Sequence, residues 1–207
     1  RFLHISKDGK ERSFTFYDMA RYSSKVANYL QFLGIKKGDR VMLVLKRHYQ
    51  FWFAILALHK IGAVAIPATN LLLKSDFEYR FKAGNVDAIL CTADGPVSRE
   101  VDKACRSYKN LKVKIMVGAS RKGWRSFNKE VKYFSSHFRR PHGENAIHGD
   151  DPSIMFFTSG TTSYPKITTH NFKYPLGHYV TAKYWHQVDP DGIHFAISDT
   201  GWGKALW

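Results

Sequence analysis

The sequence predicts an α/β fold in which mostly parallel strands form a sheet flanked by helices. Two observations support this prediction. Short continuous apolar runs, of the length of buried strands, alternate along the chain with longer segments of helical periodicity. These runs follow one another in the order strand, helix, strand, which is typical of parallel strands joined by crossover helices.

The first elements are predicted to be a β-hairpin and an amphipathic helix. Residues 3–5 and 13–14 flank the Asp8-Gly9 turn and can pair with each other. Thr15, followed three residues later by Asp18, is typical of a capping box at a helix start, and Gly34 is placed as a stop. The apolar face of this helix is formed by Met19, Val26, Ala27, Leu30 and Leu33.

The strand and helix alternation then continues as far as residue 117. Strands are predicted at 41–45, 63–66, 88–92 and 113–117, and helices at 51–61, 75–82 and 97–108. Residues 118–151 are basic, aromatic and irregular, and we expect a crossover between two lobes or subdomains near 118–152. A further strand is predicted at 153–157.

Composition indicates a globular protein. The chain has 207 residues, of which 44% are hydrophobic and 15% aromatic, enough to bury a sizeable core. Its longest apolar run, Phe51 to Leu58, is far shorter than the roughly 18 to 20 residues that cross a bilayer. With no signal-peptide pattern at the N-terminus, we expect a cytoplasmic protein without a membrane span.

The net charge of +15 favours an anionic partner, for which nucleic acid, a membrane surface, ATP and coenzyme A all qualify. Much of the excess lies between Lys103 and Arg140, without regular aromatic interleaving. That pattern is typical of a solvated helix face, although a binding patch stays open. We expect no specific nucleic acid, and a basic nucleic-acid-binding module remains the alternative.

Cysteine and histidine spacing gives no sign of a metal site. Cys91 and Cys105 are neither a C-x-x-C pair nor close to a histidine cluster, so we expect reduced thiols. The ten histidines are scattered, without an H-E-x-x-H motif. No residue is therefore predicted to be a metal ligand.

The most informative segment is T-S-G-T-T-S-Y-P-K at residues 158–166, directly after the last predicted strand. A glycine lets backbone N–H groups close on an anion, hydroxyls donate to phosphate oxygens, and a lysine adds a compact positive charge. The spacing of Gly160 and Lys166 also fits a Walker A loop. Pro165 and Ile167 argue against that motif, because they stand where its second glycine and its magnesium-binding hydroxyl belong.

The segment resembles the T-S-G-T-T-G-x-P-K loop of adenylate-forming enzymes, matching eight of nine positions when the free one is counted. The departure is Ser163, where the family pattern has glycine. If that position needs a positive φ, serine costs about 1 kcal/mol, and its side chain can crowd the phosphates. We therefore expect Ser163 to weaken ATP binding modestly.

A second segment narrows the resemblance. S-D-T-G-W at residues 198–202 is similar to a segment of acetyl-CoA and medium-chain acyl-CoA synthetases, and it argues against an aryl-CoA ligase or a peptide-synthetase adenylation domain. Residues 12–18, 38–41 and 62–67 resemble early family segments in the same order. The resemblance implies that residues 1–207 are an incomplete large N-terminal domain, with the C-terminal domain absent.

The resemblance also implies a two-step reaction. A carboxylic acid, expected to be a short- or medium-chain fatty acid, reacts with Mg²⁺-bound ATP to give an acyl-adenylate, and coenzyme A then accepts the acyl group. Lys166 and Thr161 are the predicted catalytic residues, and Gly201 and Trp202 the predicted substrate pocket. The predicted nucleotide-binding residues are Thr158, Ser159, Gly160, Thr161, Thr162, Ser163 and Lys166.

The sequence leaves the roles of three residues open. Trp202 can lie in the acyl pocket or in the core, and His170 and His178 can contact phosphate or, more in keeping with their type, serve packing. The first residue is Arg1 and the last is the apolar Trp207, so the chain looks cut at both ends. We expect such a fragment to be inactive alone.

Overall fold

The computed structural model describes residues 1–6, 8–159, 164–189, 191–195 and 197–206. The chain begins with an antiparallel hairpin of β1 (Phe2–Ile5) and β2 (Glu11–Phe14), as predicted. The main body is a seven-stranded sheet with the order β7-β6-β5-β3-β4-β8-β9. Its strands are β3 (Arg40–Val44), β4 (Val64–Pro67), β5 (Ala88–Thr92), β6 (Val113–Val117), β7 (Arg125–Ser126), β8 (Pro152–Thr158) and β9 (Lys166–Asn171).

All strand pairs of this sheet are parallel except β8 with β9. The helices are α1 (Phe16–Phe32), α2 (Gln50–Ile61), α3 (Lys74–Gly84), α4 (Val97–Ala104), α5 (Phe127–Glu130) and α6 (Tyr174–Val180). The π-helical turn Thr181–Trp185 extends α6. The predicted α/β class, with a mostly parallel sheet between helices, is confirmed.

The first helix starts and stops where its sequence predicts. The backbone N–H of Asp18 donates to the Thr15 hydroxyl at 3.0 Å, and the backbone N–H of Thr15 donates to the Asp18 carboxylate at 3.0 Å. This capping box satisfies N–H groups that the helix itself leaves unpaired. Gly34, just beyond the helix, has a φ of +87°, a conformation that glycine adopts without strain.

Alternating residues of the central strands divide the core into two layers. In β3, Val41 and Leu43 pack with α1 and α2 on one face, whereas Met42 and Val44 pack with α3 and α4 on the other. All four side chains are fully buried. This burial on both faces explains why the parallel strands read as continuous apolar runs.

Two predicted features need correction. The helix predicted over 97–108 ends at Ala104, and its continuation is a turn in which the Ser107 hydroxyl donates to the Ala104 carbonyl at 3.0 Å. The Lys103–Arg140 stretch is not one solvated helix face, since it includes β6, β7 and α5. Several of its cations form ion pairs, as Lys114 and Arg121 do with Asp102.

Residues 118–151 lead from β6 to β8 and include the edge strand β7. They thus connect one edge of the sheet to a strand on the far side of β4. On the way they pass over α1, where Lys25 Nζ donates to the Lys132 carbonyl at 3.2 Å. In the turn after the helix, Lys37 Nζ donates to the Ala146 carbonyl at 2.6 Å. The subdomain crossover remains a prediction for this segment.

Both cysteines are free thiols, as expected. Cys91 is buried in the sheet, and burial raises the pKa of its thiol to about 12. Such a thiol stays protonated and unreactive. Across the described ranges, the helices are all too short or too polar to pass through a membrane.

We predict that His59 makes the fold acid-sensitive. Its ring lies against Phe172, with 5.5 Å between centroids, and burial lowers its pKa from 6.5 to about 4. The unfolded chain therefore takes up this proton first, so stability is lost as the pH falls below 6.5. Between pH 7 and pH 4.5 the loss from this residue is about 2 kcal/mol.

Urea unfolding of the native chain and of His59→Leu at the two pH values measures this contribution. The variant should lose about 2 kcal/mol less than the native chain on acidification. His137→Leu, which removes an exposed imidazole, is the control. Equal losses in the native chain and in His59→Leu would show that His59 contributes nothing to the acid sensitivity.

Candidate functional site

The candidate site lies at the edge of the sheet where the parallel strands end. β3, β4, β5 and β8 all run toward this edge, and Ser159 follows β8 directly. Open α/β sheets bind ligands beyond the carboxyl ends of their strands, where loops supply backbone groups and side chains. The phosphate-loop motif is therefore carried to the edge at which such ligands bind.

A cleft of about 510 Å³ opens beside β8 and brings the two sequence motifs together. Thr158 and Ser159, from the phosphate-loop motif, line it together with Gly201 and Trp202 from the S-D-T-G-W segment. Its remaining lining residues are Phe156, Phe157, Thr168, His170, Tyr174, His178, Gly203 and Lys204. Residues predicted separately to contact phosphate and acid thus share one cleft.

Lys166 faces Thr158 across the β8–β9 pair, where the two residues are direct partners in the register. Direct partners project on the same face of a sheet, so the hydroxyl and the ammonium group lie on one side. The Thr158 hydroxyl also donates a long hydrogen bond, of 3.5 Å, to the Lys166 carbonyl. Lys166 is exposed but is not one of the cleft's lining residues.

Gly160, Thr161, Thr162 and Ser163 lie outside the described residues. The predicted roles of Gly160 and Thr162 in nucleotide binding, of Thr161 in catalysis and of Ser163 in weakening the loop therefore stay predictions. Thr158, Ser159 and Lys166 are the members of the predicted phosphate set that the structure places.

The loop returns to the sheet through contacts with α3. The Tyr79 hydroxyl donates to the Pro165 carbonyl at 2.7 Å, and the Tyr79 and Tyr164 rings stack with 4.9 Å between centroids. On the same helix, the Arg80 guanidinium lies 5.2 Å from the centroid of the Phe157 ring. Sequence reasoning missed Tyr79, because an aromatic residue within a helix carries no signal for a contact 86 positions away.

The S-D-T-G-W segment is anchored to the ends of β3 and β4. The Thr200 hydroxyl donates to the carbonyl of Lys46, which follows β3. The backbone N–H of Gly201 donates to the Asp199 carboxylate at 2.9 Å. A Cβ atom at position 201 would lie 2.4 Å from the backbone nitrogen of Thr69, so only glycine fits against this backbone.

Trp202 is 62% exposed and lines the cleft, which excludes the core position that the sequence left open. Aromatic rings form the opposite wall. His170 and Tyr174 stack with 3.8 Å between centroids, and His178 meets Tyr174 edge-on at 4.6 Å. Both histidines thus pack against Tyr174 and also line the cleft, so the choice between a phosphate contact and a structural role stays open.

A second polar cluster lies at the same edge of the sheet, beyond β5. His48 Nε2 is 2.7 Å from the Thr92 hydroxyl and 3.7 Å from the Asp94 carboxylate. Burial lowers the pKa of His48, while the Asp94 charge acts in the opposite direction. Sequence reasoning missed this cluster, because His48 follows β3 whereas Thr92 ends β5 and Asp94 lies just beyond it, so the fold joins positions 44 residues apart.

Among the described residues, no group of three or more histidine, cysteine, aspartate or glutamate side chains is placed to hold a metal ion. The cleft is lined by hydroxyl, aromatic and cationic groups and by no carboxylate. Such a lining suits an anionic ligand with an apolar part.

Human proteins are among those that this chain resembles in sequence. Human acyl-coenzyme A synthetase ACSM3, mitochondrial, is 33% identical over 210 residues, which cover 100% of this chain and 35% of the relative. Human acyl-coenzyme A synthetase ACSM5, mitochondrial, is 32% identical over 209 residues, with the same coverage. The chain thus spans about a third of the length of these relatives.

Solved structures share the fold. A Brucella canis acyl-CoA synthetase superposes with a TM-score of 0.85 at 24% identity, over 99% of this chain and 36% of the other. The anthranilate CoA ligase AuaEII, solved with anthranoyl-AMP, gives a TM-score of 0.76 at 22% identity, over 84% of this chain and 33% of the other. The family described as AMP-binding enzyme matches residues 2–204, and the chain belongs to that family.

Proposed function

We propose that this chain supplies the phosphate-binding loop and one wall of the acid pocket of an AMP-forming acid–CoA ligase. The observation that carries the proposal is the shared cleft of Thr158, Ser159, Gly201 and Trp202 in a member of the AMP-binding enzyme family. The human relatives ACSM3 and ACSM5 are named acyl-coenzyme A synthetases. The substrates are then ATP, a carboxylic acid and coenzyme A.

In this proposal the acid carboxylate attacks the α-phosphorus of ATP, which gives an acyl-adenylate and pyrophosphate. Negative charge moves onto the departing phosphates, and preformed donors stabilise such charge without reorganising. Thr158, Ser159 and Lys166 stand at the two ends of the loop, where hydroxyls and an ammonium group can contact these phosphates. Mg²⁺ enters as part of the nucleotide substrate, and no described residue is assigned to hold it.

In the second step the coenzyme A thiolate attacks the acyl carbonyl, and AMP leaves as the thioester forms. Trp202 and the Phe156 ring offer apolar surface for the carbon chain of the acid. A short- or medium-chain fatty acid is our proposed substrate, supported by the S-D-T-G-W segment. An aromatic acid is the alternative, favoured by the likeness of the fold to an anthranilate CoA ligase. The cytoplasmic location stays a prediction from the sequence.

Binding of ATP, ADP and AMP to the 207-residue chain tests the phosphate loop, with Mg²⁺ present throughout. We expect ATP to bind most tightly, and Lys166→Ala to weaken ATP about tenfold while leaving AMP nearly unchanged. Lys82→Ala, which removes an exposed lysine of α3 that does not line the cleft, is the matched control. Equal affinity for ATP and AMP in the native chain would contradict the loop assignment.

A further inference from the structure

Most of α1 and the turn after it, residues 19–38, pack against residues 131–142. Neither segment contains an acidic residue. Asn28 donates to the carbonyls of Ser135 and His137, at 2.9 Å each, and the Phe32 and Phe134 rings lie 5.4 Å apart. Together they form a basic surface with seven cationic residues: Arg21, Lys25, Lys36, Lys37, Lys132, Arg139 and Arg140.

Four of these cations line a cleft of about 560 Å³ between the turn after α1 and residues 139–145. Lys37 is paired with Asp151 at 2.8 Å. Lys36, Arg139 and Arg140 also line the cleft, and within the described part of the chain none of the three has an ion pair at a distance below 4 Å. Helices α1 and α2 end here, and each contributes only about half a negative charge. Asp39 accepts from the Lys36 backbone N–H at 3.0 Å but is paired with Lys112 at 2.7 Å. The three cations without an ion pair therefore outweigh the two helix ends and the neighbouring Glu144, and the net charge at the cleft is positive.

Two aromatic side chains stand on the same surface and face the solvent. Phe32 is 70% exposed and Tyr133 is 80% exposed, although both types are usually at least half buried. The Lys132 ammonium lies 4.8 Å from the centroid of the Tyr133 ring. Exposed rings among lysine and arginine side chains are typical of proteins that rest on a membrane surface.

The proposed ligase reaction does not explain this surface. The cleft lies near the amino ends of β3 and β4, because Lys36 and Lys37 precede Arg40 and because Ile61 precedes Val64. Thr158 and Ser159 lie at the opposite edge of the sheet. A nucleotide held at the phosphate loop therefore leaves Arg139 and Arg140 without an anionic partner.

We propose that the basic surface binds the headgroups of anionic phospholipids, with Phe32 and Tyr133 inserted at the bilayer interface. Lys36, Arg139 and Arg140 contact the phosphates. A nucleic acid fits less well, because proteins that bind single strands present successive rings for successive bases. Here two single rings stand beside cations that come from α1, from the turn after it and from residues 131–142. The inference is independent of the ligase proposal, so either can fail without the other.

Sedimentation of the 207-residue chain with vesicles tests the inference. One set contains phosphatidylcholine alone, and the other contains about 30% phosphatidylserine. We expect binding to the anionic set only, falling as salt is raised. Arg139→Ala with Arg140→Ala should weaken it about twenty-five-fold, at about fivefold for each charge. Phe32→Ser with Tyr133→Ser should weaken it at least threefold without changing the salt dependence.

Lys82→Ala with Arg99→Ala is the matched control, because it removes the same charge from the other face of the sheet and should change binding less than twofold. Far-UV circular dichroism establishes that each variant is folded. Equal weakening by the Arg139/Arg140 variant and the Lys82/Arg99 variant would overturn the proposal, because binding would then depend on net charge alone. Binding to neutral vesicles would overturn the headgroup assignment. Tighter, Arg139- and Arg140-dependent binding of single-stranded RNA at equal phosphate concentration would make the surface a nucleic-acid site instead.

Discussion

Replacing Gly201 with alanine is expected to detach the S-D-T-G-W segment from the sheet edge and to open the candidate cleft. An alanine Cβ would lie 2.4 Å from the Thr69 nitrogen and 2.6 Å from the Ala68 carbonyl carbon. Both neighbours are backbone atoms at the end of β4, so neither can turn aside as a side chain would. Overpacking of this kind costs about 1–3 kcal/mol, and contact with fixed backbone places it at the upper end.

Gly203→Ala is the matched control for this prediction. Its Cβ would meet the Phe156 ring at 3.6 Å, an ordinary van der Waals contact in the same cleft. We expect it to change the free energy of unfolding by less than about 0.5 kcal/mol. Limited proteolysis within residues 191–206 and urea unfolding compare the two variants. If Gly201→Ala and Gly203→Ala resist the protease equally, the close approach of Gly201 to the Thr69 backbone is not what holds the segment.

The same two variants also test whether the packing of Gly201 holds Trp202 in place. The Thr200 hydroxyl is held by the Lys46 carbonyl, and Gly201 follows it directly. Loss of the close packing at Gly201 should therefore also loosen Trp202, whose side chain is 62% exposed. A fall in tryptophan fluorescence anisotropy in Gly201→Ala alone would follow from this arrangement.

The parallel part of the sheet could be predicted because its strands are buried on both faces. Side chains of the run from Val41 to Leu45 pack alternately into the two core layers. Every position is therefore apolar, and the strand is recognisable in the sequence. Strand β9 gave no such signal. It is the antiparallel edge strand, and Thr168 and Thr169 are both exposed, so neither alternation nor an apolar run marks it.

The candidate site could be predicted by residue type but not by arrangement. The phosphate-loop residues follow from their chemistry, whereas the pairing of Thr158 with Lys166 depends on the β8–β9 register. The anchor from Tyr79 to Pro165 and the contact of Gly201 with Thr69 join parts of the chain that are remote in sequence. Such contacts are set by the packed sheet as a whole, and no local pattern encodes them.

The second large effect is expected in the reaction itself, because residues 1–207 alone should form no measurable acyl-CoA. The cleft is open to water: Thr158, Ser159 and Lys166 are exposed, and Trp202 is 62% exposed. In water an ion pair at 4 Å gains only about 1 kcal/mol, against about 4 kcal/mol at a protein surface with an effective dielectric constant near 20. Donors that stay exposed to water therefore stabilise the phosphate charge of the transition state weakly.

The chain also spans only 35% of the length of human ACSM3. ATP–pyrophosphate exchange and thioester formation, each assayed with a series of short, medium and aromatic acids, measure the two steps separately. Human ACSM3 at the same concentration is the positive control. Because the ATP binding expected above needs only the loop, nucleotide binding without exchange is the predicted outcome. Appreciable thioester synthesis by residues 1–207 would show instead that the open cleft is already a working active site.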